Sequence, residues 1–153
     1  VLDDYDFILM DCPPALNMLT VNGLVAAQAV MIPMQCEYYA LEGLTDLAAT
    51  LKRVRANLNS KLEIEGLLRT LFDSRSTLTQ QVSGELVEHF GAKVYRTIIP
   101  RNVRLAEAPS YGKPVIAFDR SSKGAQAYLA LAQEMLERRD GVTAVAAGQG
   151  AEQ

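Results

Sequence analysis

The sequence predicts an α/β fold, a mostly parallel sheet with helices on both faces, on three observations. Short apolar runs at residues 5–9, 29–34, 64–72, 94–99 and 115–118 have the length of strands. Between and after them lie segments whose apolar residues recur at the helical period. The connections are short, and right-handed crossovers between such elements give a mostly parallel sheet. The 153 residues, 49% hydrophobic and 22% charged, are enough for one domain with a sizeable core.

The first run ends in Asp11, followed by Cys12, Pro13 and Pro14. It reads as a buried parallel strand whose carboxylate emerges at the C-terminal edge of the sheet, where open α/β sheets bind ligands. The prolines stop the strand and stiffen the loop after it. An aspartate there can hold a divalent metal directly or through water, or can simply cap the following loop.

Residues 15–20 read as a loop and 21–27 as a short helix. The second strand, 29–34, ends at Pro33 and Gln35. Leu41, Leu44, Ala48, Leu51, Val54 and Leu58 then mark one face of a helix, with Asp46, Lys52, Arg53 and Arg55 on the other. Basic residues in its last turns suit the negative helix end. The third strand, 64–72, finishes on Asp73. Thr77 with Gln80 fits a capping box for a helix striped by Leu78, Val82, Leu86 and Phe90, with His89 in its last turn and Gly91 after it. The fourth strand, 94–99, ends at Pro100. A loop over 101–114 carries Arg101, Arg104 and Lys113, and 115–118 reads as a fifth strand. Ser121 or Ser122 caps a last helix striped by Ala125, Leu129, Ala132 and Leu136. The domain is expected over 1–140, with 141–153 a flexible tail of small, aperiodic residues.

Composition narrows the function classes. A net charge of −3 gives no support for nucleic-acid binding by bulk charge, while leaving room for a local basic face. Cys12 and Cys36 lack metal-ligand spacing and fit a reduced, cytoplasmic protein, and a single histidine, His89, excludes a His-rich metal site. No apolar run is long enough to span a membrane. The chain does not begin with methionine and starts almost on a strand, which reads as a fragment, a processed chain or an arbitrary boundary of the sequence.

A phosphate-binding loop needs a Gly-rich turn whose amides cradle the phosphates, followed by a lysine and a hydroxyl. No GxxxxGK[ST] occurs here, and Lys52, Lys61, Lys93, Lys113 and Lys123 stand in other contexts. The GxGxxG turn of dinucleotide-binding oxidoreductases is also absent.

Four stretches carry a resemblance: YDFILMDCPPALNMLTVNGL, IPMQCEYYALEGL, LFDSRSTLTQQV and IPRNVRLAEAPSYGKPVIAFDRSSKGAQAYLALAQEM. Together they resemble the C-terminal portion of ParA/Soj-type chromosome-partitioning ATPases, of the deviant Walker-A P-loop family. The resemblance implies a P-loop NTPase-like fold incomplete at its N-terminus. It matches Asp11 to the Walker-B aspartate that holds Mg2+ through water, which would make Asp11 the catalytic and metal residue. Residues 11–14 match the switch-like loop near the γ-phosphate, placing Pro13 beside the nucleotide. Pro100, Arg101 and Val103 match the loop passing the base of ATP, with Thr70 and Phe72 near the same pocket.

In that family ATP drives a homodimer that binds DNA nonspecifically, and a ParB-type centromere-binding protein stimulates hydrolysis in chromosome or plasmid partition. The resemblance therefore implies a cytoplasmic, nucleoid-associated protein without a membrane partner. Lys52, Arg53, Arg55, Arg101, Arg104 and Lys113 are the candidate DNA-binding residues, each also readable as solvated surface. Without the cradle, the polypeptide alone is expected neither to bind ATP normally nor to hydrolyse it. Two alternatives stay open: a truncated, non-enzymatic dimerisation or binding module, and a MinD-like membrane-surface ATPase. The ending MLERRDGVTAVAAGQGAEQ, with no long apolar face, disfavours the second.

Overall fold

The computed structural model describes residues 4–13 and 17–149. Pro14 and the end of the tail, 150–153, lie outside them. Three strands, β1 (Ala29–Gln35), β2 (Glu63–Phe72) and β3 (Val94–Pro100), form a sheet in the order β1-β2-β3, with β2 and β3 parallel. Helices flank it: α1 (Met18–Ala26), α2 (Ala40–Asn57), α3 (Thr77–Phe90), α4 (Val103–Glu107), α5 (Val115–Phe118) and α6 (Lys123–Gln149). This is the mostly parallel, helix-flanked arrangement the sequence predicts, with three strands among the described residues where five were expected.

The chain divides into two compact units, Val1–Val30 with Glu42–Glu65, and Met31–Leu41 with Gly66–Gln153. In the first, Leu24, Leu44, Leu51, Val54 and Leu62 are buried. The α2 stripe is the predicted one at Leu44, Leu51 and Val54, while Leu58 falls past the helix end and is exposed. Helix α1 starts at Met18, earlier than the expected 21, because Asn17 caps it: its Oδ1 accepts the N–H groups of Leu19 (3.0 Å) and Thr20 (3.2 Å). At the other end Asn59 donates through Nδ2 to the carbonyls of Leu24, Val25 and Ala27, satisfying acceptors that the helix leaves open.

The run at 5–9 is not a strand. Residues 7–13 carry no regular structure, and 4–13 are exposed throughout, Leu9 at 80%. Apolar composition supplies a reason for burial, but a strand exists only where its N–H and C=O groups join a ladder, and the sheet consists of β1, β2 and β3.

The second unit is built around Tyr95, which is fully buried and packs with Leu68, Ile99 and Leu131. The Arg138 guanidinium lies 4.0 Å from its ring centroid. Strand β3 passes so close to β2 that a Cβ on Gly66 would stand 2.7 Å from both the Lys93 carbonyl oxygen and the Tyr95 ring. Buried Arg69 ties β2 to α3 and β3, donating to Ser83 Oγ (2.9 Å) and the Tyr95 carbonyl (2.7 Å).

Helix α6 turns a different face inward from the one expected. Ala125 is buried, but Leu136 is exposed and Ala132 lies outside the core, whereas Leu131 and Glu134 are buried. The face is set by Glu134, whose carboxylate accepts the N–H groups of Arg96 and Thr97, both at 2.8 Å, and the Thr97 hydroxyl at 2.7 Å. Arg138 Nη2 adds a contact at 3.0 Å. Burial alone pushes the Glu134 carboxyl up, yet these donors outweigh it and hold it at about 2. The α6 backbone stays helical to Gln149, beyond Gly141 where the apolar period ends.

Other local expectations change as well. Ser76, rather than Thr77, caps α3, accepting the Thr79 N–H, while Gln80 donates to the Ser74 carbonyl. The stripe on α3 is buried at Val82 and Leu86, with Leu78 and Phe90 exposed. The expected loop at 101–114 holds α4 and a 3-10 turn, Ala108–Tyr111, and residues 115–118 form α5 instead of a strand. Pro114 precedes α5 and accepts the N–H groups of Ala117 and Phe118, so a four-residue apolar run closes a helical turn. Ser122 caps α6 as expected, accepting the Ala125 N–H.

Candidate functional site

The expected base-side residues stand where β2 and β3 end. Phe72 opposes Pro100 in register, and the Arg101 N–H donates to the Phe72 carbonyl at 3.0 Å. Thr70 donates its hydroxyl to the Met34 carbonyl near the end of β1, at 3.2 Å. Thr70, Phe72, Pro100 and Arg101 are thereby brought together at the C-terminal edge of the sheet, the edge on which such sheets hold ligands. Val103 opens α4 and is exposed; Asn102 caps that helix by accepting the Arg104 N–H.

Beside this edge lies a cleft of about 660 Å³, lined among others by Cys36, Tyr38, Tyr39, Leu71, Asp73 and Arg101. Of the expected base-side residues, Arg101 lines it. Tyr38 and Tyr39 meet edge to face, 5.1 Å between ring centroids, and both are largely exposed. Arg75 grips Asp73 through its guanidinium and its N–H, each bond 3.0 Å, and with Arg101 nearby the carboxyl is held at about 2. Burial pushes the Cys36 thiol up, partly offset by the Arg69 charge, so it stands as a neutral wall of the cleft. The sequence reading missed Arg75, whose signal was the Asp-Ser-Arg spacing, and the tyrosine pair, whose signal was two aromatics directly after a strand.

Asp11 and Pro13 belong to the first unit. Asp11 is exposed in the irregular 7–13 segment, and the Pro13 carbonyl accepts the Thr20 hydroxyl at 3.2 Å, fastening the end of that segment to α1. Among the described residues no three His, Cys, Asp or Glu side chains gather as a metal cluster. Magnesium bound with a nucleotide takes one or two carboxylates from the protein and its other ligands from water and phosphate, so a single exposed Asp11 fits that demand.

The candidate DNA-binding cations differ in how free their charge is. Lys52 and Arg55 line a groove of about 440 Å³ in the first unit with Leu51, Leu62 and Glu63, while Arg53 donates to Thr50 Oγ1 at 3.2 Å. Arg104 is engaged by Glu107 at 2.8 Å and Asp119 at 3.3 Å. Lys113 is exposed after the left-handed Gly112. Among the described residues no helix is long and apolar enough to cross a membrane.

Known proteins resemble this chain along most of its length. A family model described as an AAA domain matches residues 1–64. A protein of Pseudomonas putida is 60% identical over 139 residues, covering 91% of this chain and 53% of that protein. The chromosome partitioning protein ParA of Caulobacter vibrioides is 54% identical over 134 residues, covering 88% of this chain and 50% of that protein. The chain thus spans about half the length of the curated relatives it matches. Among solved structures, cobyrinic acid a,c-diamide synthase from Mycobacterium smegmatis with bound ADP and magnesium superposes with a TM-score of 0.70 at 34% identity, over 90% of this chain and 49% of that one. Over most of its length, then, the chain is homologous to the ParA/Soj chromosome-partitioning ATPases and has a P-loop NTPase-like fold.

Proposed function

We propose that the chain works as part of a ParA-like ATPase in chromosome or plasmid partitioning, binding ATP with Mg2+, dimerising with its own kind and holding DNA without sequence preference. The observation that carries this is the strand-end group Thr70, Phe72, Pro100 and Arg101, in a chain 54% identical to a chromosome partitioning protein. The likeness to a structure that holds ADP and magnesium supports the choice of ligand.

In this reading Asp11 holds magnesium through water, and Pro13 keeps the segment against α1 through Thr20. Thr70, Phe72, Pro100, Arg101 and Val103 flank the base. Bound Mg2+–ATP supplies the phosphoryl group, which passes to water with the developing charge stabilised electrostatically. Lys52 and Arg55 give the DNA-facing charge, with Arg53, Arg101 and Lys113 adding to it. Arg104 contributes least, because Glu107 and Asp119 neutralise it. A ParB-type partner accelerates hydrolysis, and binding to DNA makes the protein cytoplasmic and nucleoid-associated.

The test is ATP hydrolysis by the protein purified as its own cell makes it, with and without DNA and the partner. Asp11→Ala should lower the stimulated rate by at least about a hundredfold, as loss of an electrostatic catalytic element does. An unchanged rate in that variant contradicts the reading.

A further inference from the structure

Strand β2 does not run regularly into the site. From the Leu67–Val94 pair to the Arg69–Ile98 pair β3 carries two residues more than β2, and from Arg69–Ile98 to Phe72–Pro100 the shift reverses, β2 carrying one residue more than β3. The surplus is a bulge, and within it Leu71 has φ +49°, the one positive-φ non-glycine among the described residues. A branched, bulky side chain rarely adopts that region. Such a conformation persists only where the surroundings over-determine it, and it is found where a chain end must be aimed.

The surroundings here can be named. Upstream, Arg69 is clamped by Ser83 Oγ and by the carbonyls of Tyr95 and Arg96. Also upstream, the Thr70 hydroxyl donates to the Met34 carbonyl; downstream, the Phe72 carbonyl accepts the Arg101 N–H. Between these fixed points the extra residue must be absorbed at Leu71. Without it, Phe72 and Asp73 would each slip by one position, and a one-residue slip turns every side chain to the opposite face.

We propose that the left-handed backbone of Leu71 positions the strand end, setting Phe72 and Asp73 in register with Pro100 and Arg101 for the adenine nucleotide; this rests on the nucleotide-binding reading above. Leu71 acts through its φ, not through its side chain, although that side chain also lines the cleft. The two roles order substitutions oppositely. Glycine and asparagine accept positive φ and discard the leucine side chain, whereas valine keeps an apolar side chain and resists positive φ.

The experiment measures the affinity for ATP and the thermal midpoint of Leu71→Gly, Leu71→Asn, Leu71→Ala and Leu71→Val in the full protein as its own cell makes it. The Gly and Asn variants should keep the dissociation constant within about threefold. Val should raise it by at least about tenfold, with Ala between, as expected for a strained conformation made dearer. Affinity kept by Val and lost by Gly and Asn overturns the proposal in favour of a side-chain contact. Equal affinities in all four overturn it in favour of no positioning at all. If the Val variant does not fold, Ala decides against Gly and Asn: an affinity weaker in Ala than in Gly and Asn supports the proposal, and an affinity in Ala equal to or better than theirs overturns it. If the parent protein binds no adenine nucleotide, the reading of function fails, and the bulge is judged on thermal midpoints, where the order Gly, then Leu, then Val supports it and any other order overturns it.

Discussion

Two regions carry the residues assigned to the nucleotide, and they are held very differently. At the strand ends, Thr70, Phe72 and Arg101 each have a backbone or side-chain hydrogen bond of 3.2 Å or less to a neighbouring strand or its continuation. Behind them, buried Arg69 and Glu134 fasten β2 and β3 to α3 and α6. The 4–13 segment carrying Asp11 has the more hydrophobic sequence, yet it is exposed along its length and anchored at its end by Thr20. The lesson is that apolar content does not fix a residue in place; a ladder partner and buried polar clamps do.

The comparison is broken most forcefully at Glu134. Removing a buried, multiply bonded carboxylate leaves the Arg96 and Thr97 N–H groups and the Thr97 hydroxyl without their acceptor and deprives Arg138 of its carboxylate partner, so Glu134→Ala should cost about 3–5 kcal/mol in urea denaturation. Its carboxyl sits at about 2 against an ordinary 4.5, a depressed value. Its contribution is therefore complete above pH 4.5 and fades as pH falls towards 2. Glu134→Gln should flatten that acid limb, and parallel stability profiles for parent and variant would show that Glu134 is not the clamp.

A smaller effect is expected at the β2–β3 contact. Gly66→Ala forces a methyl group against the Lys93 carbonyl and the Tyr95 ring, both 2.7 Å away. The expected loss is about 1–3 kcal/mol, the usual penalty for overpacking a core. A neutral thermal midpoint would mean that the two strands can part at little cost.

The smallest effect belongs to Arg75. The Asp73–Arg75 pair is exposed on the arginine side, so Arg75→Ala should leave stability nearly unchanged. It should nonetheless raise the Asp73 carboxyl from about 2 towards 3.8, visible in an NMR titration. A carboxyl that stays at about 2 would transfer its control to Arg101.

Much of the scaffold was legible because it is written locally. The periods at Leu44, Leu51 and Val54 and at Val82 and Leu86, and the runs that became β1, β2 and β3, need only neighbours in sequence to be read. Residues 115–118 misled because a four-residue apolar run serves a helical turn as well as a strand, and the deciding contacts come from Pro114. The run at 5–9 misled because pairing is a property of the partner strand. Arg69, Leu71 and Glu134 were invisible for the same reason: Glu134 meets Thr97 37 residues away in sequence, and the bulge at Leu71 exists only relative to the register of β3. At the site, strand-end position pointed to Asp11 and Asp73, while Thr70, Phe72, Pro100 and Arg101 came from the resemblance alone.

The most direct test of the account is retention of duplex DNA of arbitrary sequence by the protein as its own cell makes it, across a salt series, with ATP, with ADP and with neither. The account predicts retention with ATP alone, weakening steeply as salt rises, and lost in Asp11→Ala; Lys52→Ala and Arg55→Ala should each reduce the salt slope by about one. Retention that is indifferent to nucleotide and to Asp11 would contradict it.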